Sequence, residues 1–478
     1  MFTGKKWAAV IGLLVIASMV LTACGPAPTP EVVEKVVKET MVVKEEVQVE
    51  VTKVVEKQVE VVVTATPLPP APAAKELTVY HWWTAGGEKQ AMDVIFKHFS
   101  AANPDIKIVD NPVAGGGGIT LKTVMQGMLA AGIPPDTFQT LSGSELKMYV
   151  DGNYLDPVDD IWTAQNLDTN YPAVVGRMVT FNGKKMAIPV SIHRANWLFY
   201  NVPLFEELGL KPPTNVDELI AVAKTIKTKK PDVSPIGLGT RDKWTAVFLF
   251  DVVLLSVGGA DKYEQFYTGQ LDVATDPTIK TAFEKYKELI PYLYPYHGAK
   301  IWSDIPGPLA EGQIGMYVLG DFAAGQLVAG GYKEGTDWEG VAFPGGDKEV
   351  FLMIVDCFTR PTGIKHPDAA TAWLNNLTVP ATQAEFTIIK GSIAAHKDVP
   401  ASNYPDSLHQ RDVEVWAGKR IVPASAHGAL APQNFLSDWQ DILTGFLFTG
   451  DIQRALDSTA LVMKNYDVAG QSAWYWAK

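Results

Sequence analysis

The sequence predicts an α/β protein in which helices cover a mostly parallel sheet. Three observations carry this. Between Leu77 and Thr140, short apolar strand-like runs alternate with helical periodicities at βαβ spacing. From Leu77 to Lys478 the chain is long enough for more than one domain. An apolar fraction of 47% with 13 Trp supplies material for more than one core. The charge balance, 53 Asp+Glu against 41 Lys+Arg, comes without a basic patch and argues against a nucleic-acid partner.

The first residues read as targeting. Lys5 and Lys6 make a basic head, and Trp7–Leu21 is an apolar run too short for an ordinary membrane span. It ends Leu21-Thr22-Ala23-Cys24, which resembles a bacterial lipobox cleaved before Cys24. Residues 1–23 are then a signal peptide, and Cys24 is the lipidated residue, giving an anchor without a transmembrane helix. An uncleaved anchor with an incidental cysteine is the plainer alternative. Residues 24–76 contain no aromatic residue and read as a linker. Val33, Val36, Val43, Val47 and Val54 approach heptad spacing, whereas Val47, Val49, Val51 and Val59, Val61, Val63 alternate like a strand. Both readings stay open. A stalk explains the stretch, and an oligomerisation segment is the rival.

Leu77–Tyr80 reads as the first strand, followed by His81-Trp82-Trp83. Side chains alternate across a strand, so one indole is expected in a core and the other in a cleft. An indole beside Glu88 suits a ring with an apolar face and a polar edge, the form of a sugar. Met92, Ile95, Phe96 and Phe99 mark one face of the next helix. Ile106–Val109 is a second strand. Gly115–Gly118 then opens a helix over 119–131; no Gly-Lys-Ser/Thr follows, so these glycines read as a loop beside a cleft rather than a nucleotide loop. Thr137–Thr140 is a third strand, placing Gln139 near a carboxyl end, where ligands bind in such sheets. Lys184–Pro189 enters Val190–Tyr200, which reads as a long strand crossing between lobes with His193, Arg194 and Asn196 at its middle. Thr214 is expected to cap the helix that follows, with Asp217 at its third position. Residues 236–239 are a strand and 244–257 an almost wholly apolar, buried helix. Asp276-Pro277 starts another helix, and the pattern breaks near Trp302. Residues 313–319 form a strand running into Gly320-Asp321-Phe322, and 350–356 form one closed by Asp356. Residues 369–377 are helical, a further helical pattern ends at Lys390-Gly391, and His427 sits in an Ala-Gly-rich loop before two helical pieces parted at Gly450-Asp451.

Nothing in this pattern points to catalysis. Gly-x-Ser-x-Gly, His-x-x-x-His and Cys-x-x-Cys are absent, and the 8 histidines are scattered singly, without metal spacing. A lipid-anchored glycoside hydrolase would need facing carboxylates, for which Glu88 and Asp356 are the candidates.

Seven segments carry a resemblance: HWWTAGGE (81–88), PPDTFQ (134–139), IPVSIHRANWLFYN (188–201), PPTNVDEL (212–219), GDFAAG (320–325), KGSIAA (390–395) and HGALAP (427–432). Together they resemble the extracytoplasmic solute-binding lipoproteins of ABC sugar importers, and among these the thermophile-type glucose/galactose/mannose-binding proteins. The resemblance implies a two-lobed periplasmic-binding-protein-like fold of type II. Residues 77–190 and 356–400 would form mostly one lobe, and 191–355 and 401–478 mostly the other. It implies a neutral monosaccharide ligand, glucose first, with a short oligosaccharide, a hydrolase or an adhesin as alternatives. It implies no cofactor, no metal, permease transmembrane subunits as partners, and a monomeric clamp on the outer face of the cytoplasmic membrane. The implied ligand contacts are Trp83 as the stacking ring with Trp82 beneath it, then Glu88, Gln139, His193, Arg194, Trp302, Asp321, Asp356, Lys390 and His427. Leu141 stands where the glucose binders carry a histidine, and Phe322 where relatives carry tryptophan.

Overall fold

The computed structural model describes residues 75–84, 86–416 and 420–476. The signal segment, Cys24 and nearly all of the stalk lie outside the described residues. Along the chain, β1 (Lys75–His81), β2 (Ile106–Pro112) and β3 (Thr137–Leu141) alternate with helices Gly86–Ala102 and Ile119–Ala130. β4 (Ile188–Arg194) and β5 (Trp197–Asn201) follow, then β6 (Ser234–Gly237), β7 (Ile314–Leu319), β8 (Trp338–Ala342), β9 (Phe351–Thr359), β10 (Ile393–Ala394) and β11 (Ile421–Pro423). They build two main sheets. The first has the order β10-β4-β9-β3-β1-β2, with β11 beside the start of β9; the second has the order β8-β5-β7-β6. Each carries its own helices, giving two α/β lobes.

The βαβ opening holds, since β1 pairs parallel with both β2 and β3. The sheet as a whole is mixed rather than mostly parallel, because β9 runs antiparallel to β3 and to β4, and β10 antiparallel to β4. The reason is topological. β4 leaves toward the second sheet in the direction of β1–β3, so the strand that returns, β9, must run back.

The expected long strand over 190–200 is two strands. β4 stays in the first sheet to Arg194, Ala195 and Asn196 break the ladder, and β5 belongs to the second sheet. Asn196 holds the break: its amide donates to the Phe343 and Val350 carbonyls, and its Oδ1 accepts from Leu352 N–H at 3.0 Å. Lobe boundaries at 190/191 and 355/356 would cut β4 and β9 in half; the ladders put the crossings after Arg194 and before Phe351. The 401–478 segment is also divided, because β11 joins the first sheet before the Gln433–Thr449 helix packs on Trp244–Tyr267.

Trp244–Tyr267 is long and apolar enough to cross a membrane, yet most of it is buried in the second lobe. Phe250, Phe266, Phe283 and Trp439 pack edge and face within that core. Asn215, not Thr214, caps the Val216–Lys229 helix by accepting from Glu218 N–H. Glu218 then reaches back to the Thr214 N–H and hydroxyl, one residue earlier than a regular capping box.

Candidate ligand-binding site

β1, β3, β4 and the middle of β9 bring their chemistry to one side of the first sheet. There, Trp82, Trp83, Glu88, Gly117, Leu141, His193, Trp244, Trp302, Phe322, Ile354, Asp356, Lys390 and His427 line a cavity of about 40 Å³. That is room for one or two waters and less than a sugar ring needs, so the walls must part for a ligand to enter.

Asp356 is the polar centre. β9 register puts it opposite Leu141 of β3 and Ser191 of β4. Its Oδ1 accepts from the Gln139 amide at 3.0 Å, and its Oδ2 from Ser191 Oγ at 3.0 Å and His193 Nε2 at 3.1 Å. Burial pushes this carboxyl up; the His193 bond, the charges of His193 and Lys390 and the Ser191 bond outweigh it and hold it below the ordinary carboxylate value. His193 Nδ1 bonds Asp321 Oδ1 at 2.5 Å. Burial disfavours the imidazolium and Lys390 repels it, but the Asp321 charge and the two carboxylate bonds raise its pKa. A protonated ring donates from both nitrogens, so Lys390, 3.3 Å from Nε2, is a neighbouring charge there rather than a bond partner. Lys390 pairs with Glu88 at 3.1 Å.

Aromatic rings complete the walls. The chain leaves β1 after His81, so strict alternation no longer separates the two indoles, and both touch the cavity. Trp83 is wedged against Phe386 and Phe358, with centroids 4.9 and 5.9 Å away, while the Trp82 ring lies under Gly118. Gly117 and Gly118 have φ of 63° and 72°, and a Cβ would come within 3 Å of His427 at the first and of Trp82 at the second. Glycine is required at both, for the left-handed backbone and for the close approach to a ring.

Three expected contacts do not line the cavity. Gln139 lies behind it, bonding the Trp82 N–H and Asp356. Asp321 is fully buried between His193 and the Arg194 N–H. Arg194 points away, its guanidinium bonding Glu349, Asn196 and the Val350 carbonyl, and facing Asp412 at 3.5 Å. A polar residue in a strand or just past its end can face either side of the sheet, and these three serve the cavity's support and the crossing between lobes. Conversely, Trp244, Phe322, Ile354 and Leu141 line the cavity without having been expected as contacts. Trp244 opens an apolar helix and reads as core; the aromatic-after-Gly-Asp pattern at Phe322 was the available signal.

His427 makes ring contacts with Trp244 at 4.7 Å and Phe248 at 5.2 Å. Burial, then the charges of Lys122, His193 and Lys390, pull its pKa down to about 3, against the pull of Asp356. The ring is therefore neutral in the folded protein. The folded state binds fewer protons here than the unfolded chain, whose histidine titrates near ~6.5, so this contribution is present above ~6.5 and lost as pH falls toward 3. His427→Gln is expected to shrink the drop in melting temperature between pH 6.5 and pH 4; equal drops in both proteins would refute the assignment.

The model of the bacterial extracellular solute-binding protein family matches residues 84–384. The chain is 40% identical over 394 residues to an uncharacterised ABC transporter extracellular-binding protein of Pyrococcus horikoshii, covering 82% of this chain and 88% of the relative. It is 28% identical over 404 residues to a probable sugar-binding periplasmic protein of Mesorhizobium japonicum, covering 83% and 94%. Among solved structures, a bacterial solute receptor described as preferring β-D-galactopyranose superposes with a TM-score of 0.73 at 18% identity, covering 82% of this chain and all of that one.

Proposed function

This chain belongs to the bacterial extracellular solute-binding protein family, and from that premise we propose that it captures a neutral carbohydrate outside the cytoplasm and hands it to the membrane subunits of an ABC importer. As a family member it binds and does not catalyse. The observation that carries the carbohydrate reading is the pairing of indole walls, Trp82, Trp83, Trp244 and Trp302, with a charged hydrogen-bonding floor, Asp356, Lys390 and Glu88. Rings cover C–H faces and carboxylates accept from hydroxyls. The sugar-binding description of the Mesorhizobium relative supports it. Cleft closure would exclude water and strengthen those bonds, and the two strand crossings support the type II form.

A short oligosaccharide is favoured over free glucose. Leu141 removes a polar contact from the cavity wall, and the indole nitrogen of Trp244, which lines that wall, has no hydrogen-bond partner. Calorimetry of the full-length chain in detergent, against glucose, galactose, mannose and xylose and a set of di- and trisaccharides, tests this. A Kd of about 1 μM or tighter is expected for the best ligand, about −8 kcal/mol. Ligand returned unchanged excludes a hydrolase, and no binding across the set sinks the carbohydrate reading.

Attachment through Cys24 to the outer face of the cytoplasmic membrane is part of the same proposal, supported by the lipobox-like Leu21–Cys24. Mass spectrometry of the mature N-terminus should find a diacylglyceryl-modified Cys24. An unmodified start downstream of it would end that part.

A further inference from the structure

Trp244 is buried, and its indole nitrogen has no hydrogen-bond partner. A buried donor left unpaired is costly, so a group that supplies an acceptor there is favoured over one that does not. The indole body lines the cavity. Its nitrogen faces the glycine segment that follows β2: a Cβ on Gly116 would lie 3.2 Å from Trp244 Nε1, 3.1 Å from Asp242 Oδ2 and 3.0 Å from Trp302 Cδ1. A donor, a carboxylate acceptor and an aromatic edge thus converge on one point, outside the Asp356 cluster and faced by the backbone of Gly116.

We propose that a second sugar unit of an oligosaccharide binds beneath the Gly115–Gly118 arch, with one hydroxyl held between the Trp244 indole N–H and the Asp242 carboxylate. This rests on the carbohydrate reading above. Trp302 belongs to both places, because its ring lines the cavity and its edge reaches Gly116. Asp242 is held in position by accepting the Trp302 N–H at 3.0 Å through the same oxygen that faces Gly116. A hydroxyl suits the pair chemically, since it accepts from the indole and donates to the carboxylate at once. The arch is the part that must move, and glycine is what lets it lie directly on Trp82, His427, Trp244 and Trp302 when the second place is empty. The ligand is then recognised in two parts, one unit over Asp356 and Lys390 and the next under the arch.

The test compares a disaccharide with its own monosaccharide by calorimetry on the full-length chain. The probes are maltose and cellobiose against glucose, and xylobiose against xylose. The best disaccharide is expected to bind at least tenfold more tightly than its monosaccharide. Asp242→Asn, which keeps an acceptor for the Trp302 N–H, and Trp244→Phe, which keeps a ring, should each bring that ratio down about tenfold. Thermal melts check folding of both. If no disaccharide outbinds its monosaccharide, or if the ratio is unchanged in the folded variants, the second place does not exist. Monosaccharide binding alone overturns this inference and leaves the carbohydrate reading standing, whereas no binding of either class overturns both.

Discussion

Asp356→Ala is expected to remove carbohydrate binding below calorimetric detection and to destabilise the protein by about 3–5 kcal/mol. The carboxylate is buried and accepts from Gln139, Ser191 and His193. Without it three donors lose their acceptor, and the His193 ring faces the Lys390 ammonium 3.3 Å away with no negative charge between them. Gln139 is also freed to turn, and it holds the Trp82 N–H, so the aromatic wall loosens with the floor. Asp356→Asn separates charge from shape: it should lose less stability than the alanine variant, since an amide oxygen still accepts one of these bonds, and lose about 1–3 kcal/mol of binding, the worth of a charge-assisted bond. Binding by titration and stability by urea unfolding are read on the same samples. Wild-type affinity in a folded Asp356→Asn protein would mean that the ligand sits elsewhere.

Arg194→Met should cost about 3–5 kcal/mol of stability, for a different reason. This guanidinium fastens the crossing after β4 to the crossing before β9, through Glu349, the Val350 carbonyl and Asn196, and it lies over Trp197 at 5.0 Å. Asp412 sits opposite it, fully buried. Burial pushes that carboxyl up to about 7 even against the pull of Arg194, with Asp321 adding to the rise. With the cation gone, Asp412 must fold protonated, so the variant's deficit should grow as pH rises above 7. Pairing Arg194→Met with Asp412→Leu removes the stranded charge and should recover much of the loss. A double variant as unstable as the sum of the singles would show that the two residues do not act together.

The sequence by itself determined the α/β class, the βαβ opening and the two helical pieces parted at Gly450-Asp451. The family resemblance of its motifs implied eight of the residues that line the cavity: Trp82, Trp83, Glu88, His193, Trp302, Asp356, Lys390 and His427. Local periodicity and turn residues encode the elements, and polar or aromatic residues at element ends mark a cleft, because neither signal depends on distant partners. Direction and depth were decided only by the tertiary structure. Whether β9 runs with or against β3 depends on where the chain returns from, which no window of sequence contains. Gln139, Asp321 and Arg194 look like ligands in sequence, yet each is turned to another side chain that folding brings from far along the chain: Asp356, His193 and Asp412. Trp244 reads as core because its helix is apolar; only the packing of that helix against the arch leaves its indole nitrogen buried, unpaired and beside the cavity.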